Sequence, residues 1–330
     1  MGYQSHKPIT RKSIELALGR AAIVAIARIA LALPDRFALR LGASIGSAAY
    51  CLSRRYRTVA IANLTDVFGR EWDQRRIHRT ARDVFRHIAM NLIEFLRFRG
   101  MDPNRLEQMV TVEGEEHLRK ALEQGKGVLA FSAHYGNFEM FGAAMVRKGY
   151  ALSVIARDAD DDATNDLING IRARMGYRVF SRDGAARRSI STLRRNEILG
   201  LLPDQNDANG IFVPFFGRLA CTAPGAAYLA LHTGAAIIPT FIHRGADMRH
   251  YVHIYPPIEY TPTGHRDSDI YNITLRINET IEREIREHPD QWFWLHNRWK
   301  TRPSDEAHAG MWAPSRHARS HQTRPDAAEG

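Results

Sequence analysis

The chain has 330 residues, 44% of them hydrophobic, and a formal net charge of +10; that supports one large packed domain plus an extension. Its two cysteines, Cys51 and Cys221, have no CxxC partner and no histidine cluster at zinc-like spacing, which argues against a metal site and for a reducing, cytosolic setting. The charge is lopsided: residues 1–100 hold 18 lysines and arginines against 7 acids, a surplus that suits an anionic membrane surface, although nucleic-acid phosphates would attract the same arginines.

The first apolar segment runs from Ile14 to Leu33. It has the roughly 20-residue length of a membrane span. Glu15, Arg20 and Arg28 interrupt it, and a mid-helix arginine is costly in a bilayer. The segment reads as an interfacial anchor, with a spanning helix or a helix packed on the domain as the alternatives. No small-residue cleavage site follows it, so it does not read as a removed signal peptide. A second helix is expected from Pro34 to Ser53; its small residues permit close helix packing. Within it Gly42-Ala-Ser44-Ile-Gly46 matches the GxSxG pattern of serine hydrolases. That chemistry requires a strand and a sharp turn around the serine, and the surroundings here are helical. Helices from Arg54 to Phe68 and from Trp72 to Arg97 complete a helical, basic, membrane-associated region over residues 1–100.

After Gly100 the pattern changes. Strands are expected at Val110–Glu113, Val128–Ser132, Ala151–Ala156, Tyr177–Phe180, Ile198–Leu202, Ala236–His243 and His250–Tyr255. Helices fall between them near Glu115–Glu123, Asn137–Arg147, Asp162–Arg174, Ala185–Arg195, Pro224–Leu231 and Asp267–Glu287. Such alternation predicts an α/β domain over residues 101–302, with a mostly parallel sheet flanked by helices. The polar tail, residues 303–330, reads as disordered.

The most informative stretch is Phe131-Ser-Ala-His-Tyr-Gly-Asn-Phe-Glu139, at the end of an apolar strand and the start of a helix. A histidine there, with Glu139 in the first helical turn, is a candidate general-base pair in which the carboxylate fixes the imidazole tautomer. Spacing alone is weak: His78 and Asp83, and His321 and Asp326, share it. The first pair lies within a helix, where positions five apart do not share a face, and the second lies in the tail. Four further stretches fall where a pocket can form. Arg157 follows a strand, the place where ligands gather in α/β sheets. Arg172 and Arg174 end a helix but cannot point the same way. Asp204 ends another apolar strand and can orient an arginine or a sugar hydroxyl. Arg218 closes the aromatic run Ile211-Phe-Val-Pro-Phe-Phe-Gly-Arg218, which reads as the wall of a hydrophobic channel with a phosphate-facing arginine at its mouth. Lastly, Asp290 to Arg302 holds three tryptophans among basic residues. That mixture suits base stacking, a membrane interface, or closure of the core.

Together, His134-Tyr-Gly-Asn-Phe-Glu139, Leu202-Pro-Asp-Gln205, Phe212-Val-Pro-Phe-Phe-Gly-Arg218 and Gln291-Trp-Phe-Trp-Leu-His-Asn-Arg-Trp-Lys-Thr-Arg-Pro303 resemble the bacterial lipid A late acyltransferases, a branch of the lysophospholipid acyltransferase superfamily. The resemblance implies that superfamily's α/β fold and an enzyme at the cytoplasmic side of the inner membrane. It would move a fatty acyl chain from acyl carrier protein to a hydroxyl of a lipid A precursor, or of another membrane glycolipid or lysophospholipid; the alternative of a different class is a non-catalytic basic protein that binds membrane or nucleic acid. Neither a cofactor nor nucleic acid is implied. His134 matches the family's base and Glu139 its carboxylate partner. Arg172, or Arg174 if the match is offset by two, falls on a functional arginine, Asp204 on a functional aspartate, and Arg218 on the superfamily's phosphate-facing arginine. Phe138 stands where many members carry tryptophan.

Overall fold

The computed structural model describes residues 25–26, 28–100, 102–156, 162–182 and 184–303. Most of Ile14–Leu33, together with Arg157 and the tail after Pro303, lies outside them. Helix α1 (Asp35–Leu52), α2 (Arg54–Phe68) and α3 (Gln74–Arg97) follow the expected run of helices. Asp73 caps α3 by accepting the Arg76 amide at 2.7 Å. Gly42 and Gly46 face α3, where a Cβ on Gly46 would stand 2.4 Å from the Phe85 carbonyl oxygen. The GxSxG match is therefore a helix-crossing surface. Among the described residues no helix is long and apolar enough to cross a membrane.

A short helix, α4 (Pro103–Met109), leads into the α/β region. Next come β1 (Val110–Glu113), α5 (Glu115–Leu122), β2 (Val128–Phe131), α6 (Phe138–Arg147), β3 (Leu152–Ala156), α7 (Asp162–Met175), β4 (Arg178–Ser181), α8 (Ala185–Arg194) and β5 (Ile198–Leu201). A hairpin of β6 (Ile211–Phe215) and β7 (Arg218–Thr222) precedes α9 (Gly225–Thr233), β8 (Ala236–Arg244), β9 (His250–Ile254) and α10 (Arg266–Glu287). The seven-stranded sheet has the order β1-β9-β8-β2-β5-β3-β4. Every pairing is parallel except β8 with β9.

Both faces of this sheet are covered, which is why its central strands read as unbroken apolar runs. The period of two still sorts the side chains. Leu129 and Phe131 enter one apolar cluster with Leu199, Ile237 and Phe241, while Val128 and Ala130 enter the other with Ile198, Ile238 and Ile242. Helices α2 and α3 contribute Leu64, Phe68, Ile77 and Phe85 to the first cluster, beside Trp292, Trp294 and Trp299. The tryptophan-rich stretch thus closes the core rather than offering its rings to bases or lipid.

Ile211–Arg218 is likewise not one continuous wall. The chain reverses at Phe216-Gly217, with φ of 49° and 70°, and Phe215 pairs with Arg218. Positive φ at both central residues matches the twist of a two-residue hairpin.

Candidate active site

The site grows from two neighbouring parallel strands. β2 and β5 run side by side, and the pairing continues one residue further through the Ser132 amide and the Leu201 carbonyl at 2.9 Å. Two residues beyond Ser132 stands His134; three beyond Leu201 stands Asp204. Adjacent carboxyl ends therefore deliver both side chains to one place. His134 Nδ1 lies 2.8 Å from Asp204 Oδ1, and the His134 amide donates to Asp204 Oδ2 at 2.9 Å. The Trp292 indole donates to the same Oδ2 at 2.8 Å.

Asp204 is 1% exposed. Burial pushes its carboxyl up, but the His134 imidazole and amide and the Trp292 indole more than offset this and hold it below the usual value. An ionised carboxylate only accepts, so Nδ1 of the neutral imidazole carries the hydrogen and Nε2 keeps the lone pair. The His134 side chain is 26% exposed, so it keeps an open side. The rings of Phe138 and Phe293 flank it, with centroids 5.5 and 6.4 Å away.

Glu139 is not the hydrogen-bond partner of His134. It accepts from Arg172 through Nε at 3.1 Å and Nη2 at 2.5 Å, and from the Tyr177 hydroxyl. Burial and the Glu139 charge push the Tyr177 hydroxyl well up. Burial alone would lower Arg172, but Glu139 holds it above its usual value. The physical reason is the helix: Asn137 caps α6 by accepting the Met140 amide at 3.1 Å, and Glu139, in the first turn, meets α7 instead of turning back. The two arginines of α7 differ in placement. Arg172 is half-buried against Glu139, whereas Arg174 is exposed on α7.

Arg218 is engaged elsewhere. It pairs with Asp66 of α2 and its guanidinium lies 4.8 Å from the Trp299 ring centroid. Two surface clefts, of about 940 and 1250 Å³, are lined by neither His134 nor Asp204, so neither is the expected channel.

The C-terminal stretch supplies residues that sequence patterns did not assign to the site. Gln291 to Phe293 runs antiparallel to His134–Gly136: the Gly136 amide donates to the Gln291 carbonyl at 2.9 Å and the Phe293 amide to the His134 carbonyl at 3.0 Å. The Gly136 amide is thus occupied. Phe138 and Glu139, in the first turn of α6, have amides with no acceptor inside the helix. His296 Nε2 accepts the Asn206 amide at 2.9 Å, and burial keeps this imidazole below its usual value. Arg298 is wholly buried; burial pushes it down to about 10, and it donates to the Cys221 carbonyl and Thr222 hydroxyl at 2.8 and 2.6 Å. The sequence marked this stretch by its interleaved tryptophans and basic residues and by its place in the family resemblance, without giving any of its residues a role beside His134. Among the described residues no group of three or more His, Cys, Asp or Glu side chains is placed to hold a metal ion.

The sequence matches known proteins along most of its length. A sequence model described as bacterial lipid A biosynthesis acyltransferase matches residues 10–301. The lipid A biosynthesis palmitoleoyltransferase of Escherichia coli K12 is 28% identical over 275 residues, covering 81% of this chain and 86% of that protein. The E. coli lauroyltransferase is 27% identical, covering 82% and 88%. A phosphatidylinositol mannoside acyltransferase of Mycolicibacterium smegmatis is 28% identical over 226 residues, covering 66% and 71%.

Proposed function

The chain belongs to the bacterial lipid A biosynthesis acyltransferase family, and from that premise we propose that it transfers a fatty acyl chain from acyl carrier protein to a hydroxyl of a lipid A precursor, with His134 as general base. The observation that carries this reading is the His134–Asp204 pair, 2.8 Å apart with the His134 side chain 26% exposed; a carboxylate on Nδ1 supports a base acting through Nε2. The acceptor hydroxyl gives its proton to Nε2 as its oxygen attacks the thioester carbonyl. A carbon–oxygen bond forms, the carbon–sulfur bond breaks, and the imidazolium returns the proton to the leaving thiolate. Asp204 orients the imidazole and stabilises its charged form. The first-turn amides of α6 meet the developing oxyanion. Glu139, locked by Arg172 and Tyr177, builds the neighbouring wall, and Arg172 supports substrate binding through it. The basic helices α1–α3 rest on the cytoplasmic face of the inner membrane and attract the acidic carrier protein.

A second acceptor is favoured by one specific observation: relatives named for phosphatidylinositol mannoside match the same chain. The test is to incubate purified full-length protein with acyl carrier protein thioesters and each acceptor, and to weigh the products. A lipid A precursor heavier by one acyl chain supports the leading reading. Acylation of the mannoside alone reassigns the acceptor, and transfer to neither rejects the reading.

A further inference from the structure

A second polar cluster lies directly beneath the turn that carries His134. Glu94, on α3, is 2% exposed, yet all its acceptor capacity is used. Arg244 Nη1 and His250 Nε2 reach Oε1 at 2.6 and 3.1 Å. Arg244 Nη2 and Asn137 Nδ2 reach Oε2 at 2.6 and 2.7 Å. Burial pushes this carboxyl up, but His250 and Arg244 outweigh it and keep Glu94 ionised. One turn earlier, Asn91 donates to the Gly136 carbonyl at 2.7 Å and accepts from Arg244 Nη2 at 2.9 Å. Gln291 closes the ring, exchanging hydrogen bonds with the Arg244 backbone at 2.8 and 2.9 Å.

These bonds converge on the backbone of Gly136 and the side chain of Asn137. Gly136 has φ of +54°, and a Cβ there would sit 1.7 Å from the Ile242 carbonyl oxygen. The turn is therefore pressed onto β8 and gripped from α3. A buried ion pair adds little net stability compared with an apolar pair of the same volume, so stability is a poor explanation for charges placed here. Orientation is a better one, because displacing a catalytic group by about 1 Å costs roughly 10²-fold in rate.

We propose that Asn91 and Glu94 of α3 are positioning residues for acyl transfer: by holding the Gly136 carbonyl and the Asn137 side chain, they set the direction of His134 and of the α6 amides. This rests on His134 being the base. It makes α3 part of the catalytic scaffold rather than only part of a membrane-facing region.

The test compares full-length wild type with Asn91→Ala, Asn91→Asp and, as a control, His134→Gln, in detergent with an acyl carrier protein thioester and the acceptor lipid. Asn91→Asp keeps an acceptor for Arg244 but cannot donate to the Gly136 carbonyl. Both Asn91 variants are expected to lose about 10- to 100-fold in kcat, with KM for the thioester and the acidic limb of the kcat/KM–pH profile unchanged. Asn91→Asp is expected to melt near wild type. A merely structural role is rescued by Asn91→Asp, so a wild-type kcat in that variant overturns the proposal. So does a shifted acidic limb, which would mean that α3 acts on ionisation instead of direction. Glu94→Gln, measured per folded molecule, is expected to lose kcat as well. Full activity in His134→Gln would instead reject the base assignment, a result separate from a failure of the Asn91 variants.

Discussion

Asp204 draws three hydrogen bonds from two residues, His134 and Trp292, that are remote from it in the chain. Its carboxyl sits below the usual value. A depressed carboxyl stabilises the fold above its unfolded value of about 3.9 and loses that contribution as pH falls through the folded value. Asp204→Asn keeps the size but presents an amide that donates where only an acceptor fits, which favours the wrong imidazole tautomer. A loss of about 10³- to 10⁴-fold in kcat/KM is expected, by the logic of carboxylate-oriented histidines, with secondary structure by circular dichroism unchanged. At this scale the sequence exposed the parts but not the pairing. His134 and Asp204 were each visible at the end of an apolar strand, yet 70 positions separate them, and only the adjacency of β2 and β5 joins them. Glu139, five positions from His134, looked like the partner because it was near in sequence. The helix that begins between them sends it to Arg172 instead.

All seven strands of the sheet are legible in the sequence, short β1 and β4 included, and the clearest signals come from the apolar runs and the helical stripe. β2 and β8 are buried on both faces, and α3 has a continuous apolar stripe. The β6–β7 hairpin was hidden because a phenylalanine occupies a turn position with positive φ, so the reversal lay inside what looked like one apolar run. Short α4 carried too little periodicity to register. Another element-scale property is a column of imidazoles across β8 and β9. His243 stacks on His288 at 4.2 Å and on His253 at 5.3 Å between ring centroids. Burial, then the charges of His288, His253 and His250, lower His243 to about 4; His288 is also lowered, chiefly by burial. A histidine whose folded value is depressed takes its proton first in the unfolded chain. The contribution of His243 to stability therefore falls as pH drops from about 6.5 to about 4 and levels off below that. His243→Phe is expected to flatten this decline by about 1 kcal/mol, after allowance for solvent screening of a half-exposed group. Urea melts at pH 7 and pH 4.5 check it: an equal decline in wild type and variant would contradict the assignment.

For the molecule as a whole, the basic N-terminal third is not a separable appendage. α2 and α3 share an apolar cluster with the sheet, and Glu94 accepts from Asn137 beneath the turn that carries His134. A protein beginning at residue 101 loses Leu64, Phe68, Ile77 and Phe85 from that cluster, each worth about 1.5–3 kcal/mol when buried. Such a truncation is expected to give no cooperative thermal transition, where the full chain gives one. The same region carries the charge surplus, 18 basic residues against 7 acids over residues 1–100. Exposed Phe37, Leu52 and Tyr56 lie among its arginines. Binding to vesicles containing phosphatidylglycerol is expected to exceed binding to neutral vesicles. It should weaken as salt rises from about 0.05 to 0.5 M, because screening shortens the reach of the surface charge. Co-sedimentation insensitive to both lipid charge and salt would count against that surface.

Acyl transfer is proposed to depend on His134 acting as a base held by Asp204. The most direct measurement is kcat/KM for acyl transfer by His134→Gln in the full-length protein, beside wild type of equal thermal stability. A fall of at least about 10²-fold is expected, the lower end of what a positioned general base contributes. A rate within about threefold of wild type, less than 1 kcal/mol of barrier, would contradict it.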